Sequence, residues 1–137
     1  MVFVTRRERF NAAHKLWRPE WSDEKNEEVF GKCSNKNWHG HNYELFVTIK
    51  GQPDENTGFV MDLKDLSREI KERIIDKLDH RNINLDVAFM KGEMASTEIL
   101  AMKIWDELEE PIRSYGAALH SIKLVETENN FVEYYGK

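Results

Sequence analysis

The sequence predicts an α+β fold, a four-stranded antiparallel sheet with two helices on one face in the order β-β-α-α-β-β. Three observations carry this expectation. Apolar residues alternate near the N-terminus, and residues 43–50 are aromatic and β-branched, both marks of strands. From Leu63 onward the apolar spacing becomes three or four, the period of an amphipathic helix. Near the C-terminal end, two strand-like segments flank Asn129-Asn130 as a hairpin.

In chain order, residues 2–14 carry Val2, Val4, Phe10 and Ala12 at even positions, with Arg6 and Glu8 between them. This imperfect alternation suits a strand with one wetter face. The charged run at residues 22–28 (SDEKNEE) reads as a solvated loop. Residues 43–50 (YELFVTIK) form the second strand, ended by Gly51, and residues 53–58 (PDENTG) have turn chemistry. Residues 59–61 could pair briefly. Leu63, Leu66, Ile70, Ile74 and Leu78 line the first helix, with Asp62 as its N-cap. The second helix runs over residues 97–109, capped by Ser96 and stopped by Pro111. Residues 119–126 and 131–135 form the closing strands.

The chain has 137 residues, 40% hydrophobic and 33% charged, which fits one domain with a core of its own. Twenty basic residues against 25 acidic ones leave a net charge of −5, which argues against nucleic acid as a partner. Cys33 is the single cysteine, so no intramolecular disulfide forms, and a reducing, cytoplasmic setting is expected. No apolar run approaches the ~18 residues of a membrane span, and the N-terminus does not read as a signal peptide.

The sharpest local feature is His39-Gly40-His41 at the entry to the second strand. Residues i and i+2 of a strand share a face, so both imidazoles can converge on one ion, with zinc the natural guess. Gly40 between them permits a close approach. His14 ends the first strand, and antiparallel pairing brings it beside this pair. Three histidines without a fourth protein ligand describe a catalytic zinc site with an open position. Cys33 lies in a polar loop between Lys32 and Lys36, surroundings that favour thiolate; it is a candidate base, nucleophile or fourth zinc ligand. Asp79-His80 follows the first helix as either an acid–base pair or a helix C-terminus. Glu126 shares a strand face with His120, Ile122 and Leu124, and a carboxylate there needs a partner. His120 carries no pattern and reads as a packing or surface residue.

Together these pieces resemble the 6-pyruvoyltetrahydropterin synthases, from Phe10 to Gly136. The resemblance is carried by FNAAHKL, FGKCSNKNWHGHNY, PDENTGFVMDL, LDHRNIN, STE (96–98) and VETENNFVEYYG, in that order. It implies the tunnelling fold, with three subunits joining their sheets into a barrel and two trimers stacking into a homohexamer whose sites lie between subunits. It implies a zinc-dependent lyase acting on 7,8-dihydroneopterin triphosphate, eliminating triphosphate and redistributing side-chain hydrogens to give 6-pyruvoyltetrahydropterin. By motif, His14, His39 and His41 become the zinc ligands and Cys33 the base. Asp79 and His80 become a proton relay from a neighbouring subunit. Glu126 becomes the pterin anchor, with Ser96, Thr97 and Glu98 lining the same pocket.

Two positions depart from the family pattern: Trp38 stands where glycine is common, and Ile99 where asparagine continues the pocket motif. The related 6-carboxytetrahydropterin synthase of queuosine biosynthesis is the runner-up; it uses the same substrate and also releases acetaldehyde. Its cysteine typically stands closer to the HGH segment, whereas five residues separate Cys33 from His39 here. A reading from another class is a non-catalytic assembly module, with His14, His39, His41 and Cys33 as a closed structural zinc site.

Overall fold

The computed structural model describes all residues from Met1 to Lys137. In chain order the elements are β1 (Val2–His14), α1 (Asp23–Phe30), β2 (His39–Gly51), α2 (Leu63–Ile70), α3 (Asp76–Leu78), β3 (Arg81–Asn82), α4 (Ile83–Asp86), α5 (Thr97–Ser114), β4 (Ala118–Thr127) and β5 (Asn130–Tyr134). The sheet order is β3-β1-β2-β4-β5. The four expected strands are present and antiparallel, and β1 and β2 pair without a break from Val2↔Gly51 to His14↔His39. The expected four-stranded sheet gains a fifth strand. The two-residue β3 runs parallel to β1 beside Ala12 and Ala13, and two residues are too few to show a period.

The apolar period decides which face is covered. Tyr43, Leu45, Val47 and Ile49 of β2 alternate inward and are buried, as are Phe10, Ala12 and His14 of β1. Helix α5 packs on β4 and β5, and α2 on β1, all sharing one continuous cluster of buried apolar side chains. Asp62 caps α2 as expected, its Oδ1 accepting from the Lys64 amide at 2.9 Å. Between α2 and α3 the chain makes a π-helical turn, Lys71–Ile75. The wider turn accommodates the neighbouring residues Ile74 and Ile75, both of which are buried.

Four expectations need correction. Residues 22–28 do not form a loop but the start of α1. Ser22 caps that helix through Oγ on the Lys25 amide, and Asp23 and Glu24 sit favourably in the first turn. The Asn26 side chain is fully buried, accepting from the Arg18 amide at 2.7 Å and donating to the carbonyls of Arg18 and Ser22. Pro111 does not stop α5, which continues to Ser114. Burial of Ile112 and the Arg113–Glu109 ion pair at 2.8 Å hold the last turn. Residues 59–61 form no strand, and Met61 is instead buried in the core. The closing turn also falls one residue earlier, on Glu128-Asn129. No helix is long and apolar enough to cross a membrane.

Candidate metal centre and active site

The β1–β2 ladder ends on the pair His14↔His39. Strand parity turns His14, His39 and His41 to the covered face, where their ring centroids lie 4.5, 5.0 and 5.1 Å apart. Gly40 is not forced by packing, since a Cβ there would sit 3.6 Å from the Ala12 carbonyl oxygen, an ordinary contact. One ligand atom from each histidine and one carboxylate oxygen of Glu126 all fall within 4.8 Å of one another. Such a group can hold a metal ion.

The polar atoms support that fit. Nδ1 of His14 donates to the Ala95 carbonyl at 2.6 Å, which fixes the tautomer and leaves Nε2 as a bare acceptor. Nε2 of His14, Nδ1 of His39 and Nε2 of His41 are buried and make no hydrogen bond. Three buried ring nitrogens close to one another and without a hydrogen-bond partner are costly unless an ion takes the space between them. Burial is the main cause that holds all three imidazoles below the usual histidine range, with mutual repulsion adding to it and Glu126 opposing it. They are therefore neutral, the form that binds metal.

A pH dependence follows. Depressed values keep the histidines neutral in the folded protein at pH values where the unfolded chain, with histidine near ~6.5, already takes up protons. The unfolded state then binds more protons, so the metal-free fold should lose stability as pH falls below about 6.5, the loss accumulating down to the lower folded values. Thermal unfolding of metal-free protein between pH 8 and 5 measures this. A melting temperature that rises on acidification would contradict it.

Glu126 joins the cluster from β4. Its Oε1 lies 2.9 Å from His41 Nε2 and 3.7 Å from His14 Nε2, the shorter contact without hydrogen-bond alignment. Its Oε2 accepts from Thr97 Oγ1 at 2.8 Å. Ser96 caps α5, its Oγ accepting from the Ile99 amide, which sets Thr97 buried beside Glu126; Glu98 is exposed. His120 packs between Phe3 and Tyr135.

The Cys33 thiol is not part of the four-ligand group. Cys33 is half-buried in the 3-10 turn Gly31–Ser34, and its carbonyl accepts from the Leu16 amide at 2.7 Å. A closed His3Cys site is therefore not formed. Asp79 and His80 do pair, with Nδ1 of His80 3.0 Å from the carboxylate. They do not join the histidine cluster within one chain. Asp79 also accepts from the Asn11 amide at 2.9 Å, and this bond leads the causes that hold its carboxyl below the usual range. His80 has a left-handed backbone, φ 60°, its amide donates to the Asn11 carbonyl, and its side chain is 82% exposed. The imidazole is thus presented outward, away from the ion site of its own chain.

Tyr43 is a neighbour that reading by residue type passes over. It follows His41 in phase, stacks on Phe10 at 4.8 Å and stands edge-on to His14 and His41. Its hydroxyl is buried without a partner, and burial, with Glu126 adding, pushes it well above the usual phenol range. The signal for it in the sequence is strand phase, two residues beyond His41 on the same face of β2.

The family profile described as 6-pyruvoyl tetrahydropterin synthase matches residues 3–137. The chain is 44% identical to the 6-pyruvoyl tetrahydrobiopterin synthase of Pongo abelii over 134 residues, covering 98% of this chain and 91% of that one. It is 43% identical to the Dictyostelium discoideum protein of the same name, covering 99% and 97%. The fold superposes on the Caenorhabditis elegans 6-pyruvoyl tetrahydropterin synthase structure with a TM-score of 0.92 at 36% identity, covering 99% and 96%.

Proposed function

The chain belongs to the 6-pyruvoyl tetrahydropterin synthase family, and on that premise we propose that it is a zinc-dependent lyase. It converts 7,8-dihydroneopterin triphosphate into 6-pyruvoyltetrahydropterin with loss of triphosphate. The observation that carries this reading is the convergence of three unpartnered imidazole nitrogens beside a carboxylate.

His14, His39 and His41 hold the zinc, which when bound supplies Lewis-acid polarisation of substrate oxygen. Glu126 holds the pterin. Thr97 fixes one carboxylate oxygen, and once the His41 lone pair is given to metal the other is free. A carboxylate so placed accepts the parallel N–H donors of a pterin ring. Ser96, Thr97 and Glu98 border that pocket. Cys33, outside the ligand group, serves as the base that takes a side-chain proton. Asp79 orients His80 through Nδ1, and the exposed imidazole completes the proton relay in an adjoining subunit. The assembly is a cytoplasmic homohexamer of single-domain subunits. In one chain β3 and β5 are the sheet edges, and closing three sheets into a barrel pairs such edges. Solution mass should be six times the 16.2 kDa of the subunit.

Glu126→Gln should weaken pterin binding by at least about tenfold, because it replaces one acceptor oxygen by a donor. Zinc content should stay at the wild-type level. Titration with neopterin and metal analysis test both halves; loss of zinc with Glu126→Gln would instead make Glu126 a ligand. Product analysis tests the reaction. Zinc-loaded protein is incubated anaerobically with dihydroneopterin triphosphate, and triphosphate should appear without acetaldehyde. Acetaldehyde released in step with triphosphate would assign the carboxytetrahydropterin reaction instead.

A further inference from the structure

Lys15 and Trp38 are the first residues beyond the last ladder pair, His14↔His39, and leave the sheet side by side at the rim of the ion site. The Lys15 ammonium lies 4.4 Å from the Trp38 ring centroid and 5.1 Å from that of Trp17. Asn84 grips the Lys15 backbone at both ends, accepting from its amide at 3.0 Å and donating to its carbonyl at 3.1 Å. These residues line a cleft of about 580 Å³ with Arg18, Glu20 and Glu93, within the usual size range of ligand sites.

The charges in the cleft are not equivalent. Glu20 faces Arg18 Nε at 3.4 Å, and Glu93 faces Lys103 Nζ at 3.1 Å. Lys15 has no carboxylate partner. It is a cation held between two indole faces, with its N–H donors unspent on any acid. Trp38 has φ 68°, a left-handed backbone that penalises L side chains. Strain of this kind, held beside a reactive centre, points to function.

We propose that this cleft holds the phosphate tail of the substrate, with Lys15 as counter-charge and Trp38 as the residue that pre-positions it. The inference rests on the pterin triphosphate reading and adds to it a site for the leaving group. The pterin end lies at Glu126 and Thr97, the reacting side chain at the histidines, and the tail runs outward past His14 to the next residue. A lysine stem already ordered between two rings loses less freedom on meeting a polyanion than a free one.

The test compares binding of neopterin and neopterin triphosphate, the oxidised analogues, to zinc-loaded protein by fluorescence titration, with zinc content checked in each variant. Wild type should bind the triphosphate at least about tenfold more tightly, the share expected of hydrogen bonds from a charged group. Lys15→Met should remove most of that preference and leave neopterin affinity unchanged. Trp38→Gly, which relieves the left-handed strain, should reduce the preference about threefold by removing one ring face. A Lys15→Met protein that keeps the wild-type ratio, or that weakens both ligands equally, overturns the inference, whether or not Trp38→Gly folds. Wild type that binds both ligands equally overturns the inference alone. Wild type that binds neither overturns the pterin reading and the inference with it.

Discussion

Cys33→Ala is expected to lower turnover by on the order of 100- to 10,000-fold, the usual share of a positioned base, while zinc, fold and oligomer persist. The reasons are local. The thiol lies outside the group formed by His14, His39, His41 and Glu126. The turn that carries it is tied by the backbone bond from Leu16 to the Cys33 carbonyl, which alanine keeps. A half-buried Sγ in a 3-10 turn contributes little to the core. Steady-state turnover, zinc stoichiometry and chromatographic mass read the three outcomes separately. Loss of metal and fold together would mean that the cysteine is a structural ligand, and the protein would then be a zinc-stabilised module rather than an enzyme. Turnover near the wild-type level would remove Cys33 from the mechanism.

His41→Ala is expected to abolish turnover and to weaken zinc binding by more than about 100-fold. Changing a residue that merely supports a ligand already costs about 10- to 100-fold, and His41 is proposed as a ligand itself. The imidazole is partly exposed and its Nε2 makes no hydrogen bond, so its removal should leave the sheet intact. Glu126 keeps its bond to Thr97. Zinc content after dialysis measures the effect. His120→Ala is the matched control, because that ring packs between Phe3 and Tyr135 far from the cluster and should change neither metal nor turnover. Full zinc retention in His41→Ala would displace the metal site from this cluster.

The readable part of this site was the part governed by strand geometry. His39 and His41 stand two apart, and His14 ends the strand that pairs with theirs; parity and antiparallel pairing then bring the three rings together. Glu126 stood out as a carboxylate among aliphatics, but its place at the ion site depends on distant chain. Thr97 reaches it from the first turn of α5, and His41 from the neighbouring strand. No local spacing encodes that meeting. Helix α1 escaped for a similar reason. Its charged sequence lacks an apolar stripe, and the fully buried Asn26 side chain, bonded back to Arg18 and Ser22, ties it to the loop before it.

By itself, then, the sequence determined the periods of the main strands and helices, the caps at Asp62 and Ser96, and the three histidines on one face. These follow from backbone geometry, which repeats every two residues in a strand and every 3.6 in a helix. Only the tertiary structure decided that Glu126 stands beside the three histidines, that Cys33 stays out of their group, and that Asp79 turns back to the Asn11 amide while the His80 ring faces outward. Those outcomes depend on register between strands, on the π-helical turn before Asp79, and on the left-handed turn at His80. Each is set by packing between segments far apart in the chain, where the free energy of burial, rather than local preference, selects the conformation.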